Sequence, residues 1–518
     1  MNPRFPAPET ETIADEKIHP SFQPTSALPG NILNTTTLHA KRIGPVLAPD
    51  RSRVLLRPFR PSTDDIARRI VTRLMALSEA EVAALLEKIL GDFTKRHERV
   101  ENTFRKRFAQ VMIYLEPGAP QPSPERQMLI GAHFTCEYSI ESAALFNPSI
   151  VPHPDQGGVP AGSLRFILSL RATGEGHISS IGFREGIIDA EQRVTVTPPV
   201  PFITGPERIQ DVAFAKGLFT HKLEEAGVQN DFCRRVLDKL HDDFSLKELH
   251  AVLLASGLTE TPDATATWAA RGILLLAESN FEVNFAPASR VSQRVLFPAA
   301  PSQSNGIEDA RFVRFQKDDG SVKYYATYTA YDGKVTMPQL LETPDFLHFR
   351  FSTLNGPAVS NKGMALFPRK INGKYVMLSR QDDENILIMS SSNLHFWAEP
   401  KILLSAAQPW EFIKLGNCGS PIETEAGWLV FSHGVGAMRR YCLGAFLLDL
   451  KDPTRVIRRL RDPLFCPNED EREGYVPNVV YSCGSLLHGR TLIIPYAMSD
   501  STSSFATVPL DELLAAME

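Results

Sequence analysis

The sequence predicts a mainly β protein: a five-bladed β-propeller with an N-terminal helical region and a helical insertion between blades one and two. Three observations point there. Five stretches share one plan, a glycine turn, an apolar or aromatic strand, a polar kink and a second strand. The last four recur at roughly 50–65 residue intervals, the span of one propeller unit built of short strands. Before and between them lie segments whose apolar residues keep helical rather than strand spacing. A β-sandwich with helical appendages is the structural alternative that the same pattern leaves open.

Residues 1–50 begin with the proline-rich, polar "MNPRFPAPETETIADEKIHPSFQP". It has no apolar signal core and reads as the poorly ordered lead-in of a cytoplasmic protein. Residues 51–135 form the helical region. "PSTDDIARRIVTRLMAL" sets Ile66, Ile70, Val71, Leu74 and Leu77 on one face behind a Ser/Thr/Asp start. "SEAEVAALLEKIL" opens on a capping box, Ser78 with Glu81, and "SPERQMLIG" has a serine cap followed by proline.

Residues 136–206 hold the first blade, with its hairpin in "GSLRFILSLRATGEGHISSIGF" (162–183). Residues 207–282 form the insertion, where "SLKELHAVLLASG" shows a box of Ser245 with Glu248 and closes on Gly257. Residues 283–518 carry the other blades. Their hairpins are "DGSVKYYATYTAYDGKVTM" (319–337), "NGKYVMLSRQDDENILIMSSS" (372–392), "EAGWLVFSHGVGAMRRYCLGAFLLDL" (425–450) and "HGRTLIIPYAMSDSTSSFATVPL" (488–510).

Composition narrows the function. The 518 residues are 43% hydrophobic, with net charge -5 and pI about 6.3, which gives no reason to expect a nucleic-acid or anionic-membrane partner. No apolar run approaches the ~18 residues of a membrane span. The six cysteines (Cys136, Cys233, Cys418, Cys442, Cys466, Cys483) show no C-x-x-C spacing. They read as buried free thiols rather than as a zinc site or a disulfide framework. Neither the dinucleotide fingerprint nor the P-loop motif is present.

The kinks carry the polar residues that a propeller would aim into its central pit: Arg171, His177, Asp332, Arg380, His433 and Asp500, with Lys414 just ahead of "LGNCGSPIETEAGW". Plainer readings stand beside these. Asp332 suits a hairpin turn, Asp382 and Asp383 a solvated turn, and His433 a core position. The stretch "NGIEDARFVRF" (305–315) resists such a reading. It sets Glu308 beside Asp309 at the start of an apolar strand, with Arg311 two residues on. Facing a pit, one acid can be held ionised by arginine while the other titrates.

"NGIEDARF", "NKGMALFPRKINGKYVMLSR", "KLGNCGSPIETEAGWLVFSHGV" and "YCLGAFLLDLKDPTRVIRR" resemble glycoside hydrolase family 130, over residues 140–200 and 285–515. That family contains β-mannoside phosphorylases and some hydrolases, and its fold is a five-bladed propeller. The resemblance implies a catalytic acid at Asp309. It implies phosphate contacts from Lys414, His433, Tyr441, Lys362 and His177, and sugar contacts from Asn147, Arg171, Glu308, Arg311, Arg380 and Asp500. Ala310 replaces the proline of the family's "GxEDPR" motif. Lys362-Gly363 replaces its Arg-Asn pair, keeping charge but losing the bidentate fork.

The implied reaction is inverting phosphorolysis of β-mannosides, most of all short β-1,2-linked manno-oligosaccharides, giving α-mannose 1-phosphate. Inorganic phosphate is then co-substrate, with no metal or other cofactor and no nucleic-acid or membrane partner. A homo-oligomer stays open. Chemistry supports one acid facing cations. An inverting hydrolase needs a second carboxylate to activate water, whereas a carboxylate in that place would repel phosphate by about 4 kcal/mol per charge pair at ~4 Å and an effective dielectric of ~20. A hydrolase of the same linkage and a non-catalytic sugar-binding propeller are the alternatives.

Overall fold

The computed structural model describes residues 38–209, 212–256 and 264–518. Local chemistry sets the helices. Thr63 caps Asp64–Met75, accepting from the Ile66 amide at 3.3 Å. Ser78 and Glu81 form the full capping box of Glu79–Phe93. Ser123 caps Pro124–His133, where proline occupies the first turn at no hydrogen-bond cost. With Val100–Val111 these helices bury Val71, Leu74, Val82, Phe108, Leu129 and Phe134 in one core. Strands Val54–Pro58 and Thr135–Ser139 tie the region together. The buried Glu141 carboxylate fixes it to the β part: its Oε1 lies 2.8 Å from both Arg53 Nε and Arg184 Nη2.

The β part falls into five groups of antiparallel strands, the first two joined in one sheet by a parallel pairing of Gly306 with Ser179. The first is Ala144–Pro152, Leu164–Thr173, Ser179–Ile188 and Val194–Val196. The second is Gly306–Gln316, Val322–Tyr331, Thr336–Thr343 and His348–Thr353. The third is Ala365–Leu366, Tyr375–Ser379, Ile386–Ser391 and Lys401–Leu404. In the fourth, Lys414–Asn417 and Ile422–Thr424 both pair with Gly427–Val435, followed by Tyr441–Leu448 and Val456–Arg459. In the fifth, Val480–Tyr481 and Leu486–His488 pair with Thr491–Met498, followed by Thr502–Pro509. Each hairpin read from the sequence supplies two successive strands of one group.

The strands bury both faces, one toward each neighbouring group. Phe312 and Ala326 pack with Ile167 and Ile181 of the first group. Val313 and Phe315 pack with Met377 and Met389 of the third. Leu378 and Ile388 meet Trp428 and Val430, Phe431 and Leu443 meet Ile494 and Tyr496, and Ile493 and Phe505 meet Leu168 and Leu145. The fifth group thus packs on the first. Burial on two faces explains why these strands read as near-continuous apolar runs rather than strict alternations.

Three features depart from the expectations. Within the segment expected to be a poorly ordered lead-in, Lys41–Leu47 is a strand that pairs with Thr502–Pro509 and completes the fifth group. Residues 1–37 lie outside the described residues. Cys442 and Cys466 form a disulfide, against the expectation of free thiols. The Leu443–Phe465 backbone pairing brings their chain segments together across 24 residues, a proximity that spacing alone does not reveal. Cys233, Cys418 and Cys483 are buried free thiols, while Cys136 is exposed.

The insertion carries helices Lys216–Glu225, Asp231–Asp238, Leu246–Ala255 and Ala264–Glu278 around its own core of Phe219, Leu223, Val236, Leu249 and Ile273. Its ends are strands, not helices. Glu207–Arg208 and Phe281–Asn284 extend the second strand group. Ser245 caps its helix, but Glu248 turns to His241 and leaves the box half formed. Gly257 lies outside the described residues. Buried Lys222 donates to the Leu354 carbonyl at 3.0 Å, and Glu225 accepts from the Gly356 amide at 2.7 Å. No helix among the described residues is long and apolar enough to cross a membrane.

Candidate active site

Two irregular strands build the centre of the site. In Gly306–Gln316 the register passes from Glu308↔Thr329 to Arg311↔Thr327, so Asp309 and Ala310 bulge out of the ladder. In Ala144–Pro152 it passes from Phe146↔Arg171 to Ser149↔Ser169, and Asn147 and Pro148 bulge likewise. The bulges meet: Asn147 Nδ2 donates to Asp309 Oδ1 at 2.7 Å. Both residues hold positive φ, +49° and +54°. Such backbone is costly for side chains other than glycine and persists where surrounding contacts enforce it. His177, Asp383, Arg439 and Asp500 share this conformation.

Arg171 spans the two acids. Its Nη2 lies 2.8 Å from Glu308 Oε1, its Nη1 3.4 Å from Asp309 Oδ1, and its Nε donates to Ser179 Oγ at 2.9 Å. Lys362 Nζ reaches Glu308 Oε2 at 3.3 Å. Arg311 does not pair with the carboxylates as the sequence suggested, because the bulge turns it away. It donates to the Asp309 backbone carbonyl at 3.1 Å and to the Tyr481 hydroxyl at 2.8 Å, supporting the strained backbone.

The environments of two aspartates diverge. Burial opposes ionisation of Asp309, but Arg171, Arg311, the Asn147 bond and Lys362 together outweigh it and hold its carboxyl at about 2. Burial and the Asp309 charge push Asp500 up to about 6, against Arg171 and Arg439. Asp309 therefore rests as a carboxylate, and Asp500 is the group that takes a proton most readily.

A second cluster lies on the fourth group and on the hairpin turn between Tyr375–Ser379 and Ile386–Ser391 of the third. Pairing of Lys414–Asn417 with Gly427–Val435 sets Gly416 opposite His433, so the 19-residue spacing of Lys414 and His433 is that of strands in register. A Cβ on Gly416 would sit 2.4 Å from His433 Cε1 and 3.2 Å from Arg380 Nη1; only glycine leaves room for both. Arg380 Nη1 lies 3.1 Å from His433 Nε2. A guanidinium can only donate, so Nε2 accepts and the imidazole is neutral. Burial, Arg380, Arg311 and Lys414 push its pKa well below the ordinary value, with Asp309 acting in the opposite direction. His433 is thus a buried neutral acceptor that holds Arg380, nearer the plainer reading of a core histidine than the direct phosphate contact that the resemblance implied. Tyr441 stacks on it at 5.8 Å, and Tyr481 packs at 4.8 Å.

Lys414 Nζ lies 2.7 Å from Asp383 Oδ2, and Arg380 Nε lies 3.4 Å from Asp383 Oδ1. Asp383 is thus an ion-pair partner rather than a merely solvated turn residue. Asp382 is the turn residue, accepting from the Glu384 and Asn385 amides. Asp332 likewise only closes its hairpin, accepting from Lys334 and Val335.

The structure sorts the expected residues into two sets. Asn147, Arg171, Glu308, Asp309 and Lys362 form one linked set, with Asp500 acting on it through charge. Arg380, Lys414, His433 and Tyr441 form the other. Lys362 falls on the carboxylate side and Arg380 among the cations, each opposite to its expected place. His177 joins neither through a hydrogen bond; its ring stacks on half-exposed Tyr475 at 5.4 Å. Sequence reading missed Tyr481, Asp383 and Ser179. Tyr481 sits in "VVYSCG" with no polar kink to flag it.

A family model described as beta-1,4-mannooligosaccharide phosphorylase, of glycoside hydrolase family 130, matches residues 275–518. A 1,2-beta-oligomannan phosphorylase of Thermoanaerobacter sp. (strain X514) is 34% identical over 245 residues, 46% of this chain and 78% of that one. A beta-1,2-mannobiose phosphorylase of Listeria innocua serovar 6a is 34% identical over 231 residues, 43% of this chain and 63% of that one. The solved structure of a Listeria innocua beta-1,2-mannobiose phosphorylase with beta-1,2-mannobiose superposes with TM-score 0.43 at 21% identity, covering 72% of this chain and 92% of that chain. The chain belongs to glycoside hydrolase family 130 and is an enzyme of that family.

Proposed function

We propose that the chain is an inverting β-mannoside phosphorylase acting on short manno-oligosaccharides, foremost β-1,2-linked ones. With inorganic phosphate it would release α-mannose 1-phosphate, or in reverse extend an acceptor. The observation that carries this reading is the pair of Arg380 and Lys414 set around His433, whose ring also feels the Asp309 carboxylate. Two cations suit an anionic nucleophile, and the one carboxylate beside them, Asp383, is ion-paired to both rather than free to activate water as a hydrolase base would be. The phosphorylase names of the relatives support the same reading.

In this scheme Arg380 and Lys414 bind phosphate, and Arg171, Glu308, Asn147 and Asp500 hold the mannosyl hydroxyls. A phosphate anion added near Asp309 raises its proton affinity, and sugar hydroxyls that draw Arg171 away would remove part of what holds Asp309 ionised, so Asp309 takes up a proton as the complex forms. It passes that proton, by way of a sugar hydroxyl, to the departing glycosidic oxygen. A phosphate oxygen bonds to C1 from the opposite face as the C1–O bond breaks. The proton left on the product phosphate then returns to solvent. The five strand groups are read as the blades of a five-bladed propeller around this pit, with the helical region and the insertion as accessories. The reaction needs no resident cofactor, and a cytoplasmic setting suits it.

Incubating the protein with α-mannose 1-phosphate and mannose tests the reading. Release of inorganic phosphate with growth of a β-mannobiose is expected. No phosphate release with any of a panel of mannose and glucose acceptors would sink it.

A further inference from the structure

Asp383 is a puzzle for an anion site, because its carboxylate sits among the cations that should receive phosphate. Three features define its placement. First, the turn is fixed by its neighbour. Asp382 Oδ1 accepts from Glu384 N at 3.0 Å and Asn385 N at 2.9 Å, and its Oδ2 accepts from Asn385 Nδ2 at 2.8 Å. Asp383 is held at φ +58°. Second, the Asp383 side chain is 52% exposed, while those of Lys414 and Arg380 are 22% and 11% exposed. It reaches in from the rim. Third, it is not saturated. A carboxylate offers about four lone-pair positions, and Lys414 and Arg380 approach one oxygen each while the Asn361 side chain adds a third partner, which leaves about one position open. Arg380 Nε itself makes no hydrogen bond.

We propose that Asp383 selects a protonated oxyanion, so that the cluster accepts phosphate and rejects sulfate. The proposal rests on the phosphorylase reading and names a specificity determinant of that same site. At neutral pH inorganic phosphate carries at least one P–OH, which can donate to the Asp383 carboxylate in a short charge-assisted bond. Sulfate is of similar size and charge but has no proton to give. Its oxygens would face an acceptor-only carboxylate with nothing between them. Lys414 and Arg380 supply attraction to both anions, and Asp383 makes the difference between them.

Other roles for Asp383 give different signatures. A mere counter-ion would weaken both anions alike, so removing it would tighten both. A mere spacer for Lys414 would favour both alike, so removing it would weaken both. A proton acceptor changes the ratio. The test is calorimetric titration of inorganic phosphate and of inorganic sulfate into the full chain, for wild type, Asp383→Asn and Asp383→Glu. Sulfate inhibition of phosphorolysis is measured alongside.

Wild type is expected to prefer phosphate. In Asp383→Asn the amide can turn its NH2 toward sulfate, and the preference is expected to fall by about ten- to a hundredfold. Asp383→Glu keeps a carboxylate and is expected to retain the preference even if both affinities drop. Equal shifts for both anions in Asp383→Asn, or a wild type that binds sulfate as tightly as phosphate, overturn the proposal. A wild type that binds neither anion and turns over equally without phosphate overturns the phosphorylase reading beneath it. That outcome is distinct from an unchanged ratio in a phosphate-dependent enzyme, which removes only the role of Asp383.

Discussion

Replacing Lys414 with alanine should cripple the use of phosphate and spare the use of sugar. The ammonium lies 2.7 Å from Asp383, so the substitution acts twice. Phosphate loses a charge-assisted contact, worth about 1.5–3 kcal/mol. Asp383 also loses its nearest cation and is left with Arg380 at 3.4 Å. A unit charge pair at ~4 Å and an effective dielectric of ~20 repels by about 4 kcal/mol, which the half exposure of Asp383 reduces by screening. The lost contact alone places the rise in the phosphate KM at about ten- to a hundred-and-fiftyfold, and the screened Asp383 charge adds to it. The mannoside KM should change less than about threefold, since Lys414 lies outside the Arg171 set. Removing the unmatched acid as well, in Lys414→Ala/Asp383→Asn, should restore part of the loss, a coupling expected of residues in contact. Steady-state kinetics with each substrate varied at saturation of the other, beside a thermal melt, gives the answer. A mannoside KM that rises as much as the phosphate KM, or a phosphate KM that does not move, refutes this reasoning.

Other substitutions probe the carboxylates and the insertion. Asp309→Asn should keep the melting temperature, because Arg171 retains Glu308, and should lose about 10²–10⁴-fold in turnover; retention of a tenth of the activity would remove Asp309 as the acid. Asp500 is pushed up to about 6, so the folded chain holds a proton that the unfolded chain has lost. Stability therefore falls as pH rises from the ordinary carboxylate value through 6. Asp500→Asn should melt higher than wild type at pH 8, gain less at pH 5, and be slower with mannoside; an equal gain at both pH values would contradict this. Lys222 is pushed down to about 7 by burial, which penalises its charged form. The penalty is complete below 7 and is released as pH rises toward the ordinary lysine value, so wild-type stability should climb there by up to about 1.4 kcal/mol per pH unit. Lys222→Met should flatten that climb in urea melts across pH 7–9; parallel curves would place the charge elsewhere.

Strand pairs and helices were legible because each rests on local pattern. The capping box of Ser78 and Glu81 and the five hairpins appear where turn chemistry and apolar runs put them. The strand Lys41–Leu47 was hidden because its reason for being a strand lies in Thr502–Pro509, at the far end of the chain. The disulfide was hidden for the same cause: Cys442 and Cys466 meet through backbone pairing, not spacing. In the site, the acids of "NGIEDARF" stood out because a strand seldom opens on two carboxylates. Their partner was misread, since a one-residue shift at a bulge decides whether Arg311 or Arg171 faces them. His433 shows the same limit. Its glycine neighbour and its strand partner are visible in sequence, but its neutral state follows from Arg380, which arrives from a turn 53 residues earlier.

The most direct measurement of the central claim is cleavage of β-1,2-mannobiose by the purified chain with and without inorganic phosphate, with mannose and mannose 1-phosphate both quantified. One mannose and one α-mannose 1-phosphate per bond cleaved are expected, with no cleavage when phosphate is omitted. Release of two mannose per bond at the same rate without phosphate would contradict phosphorolysis and make the enzyme a hydrolase.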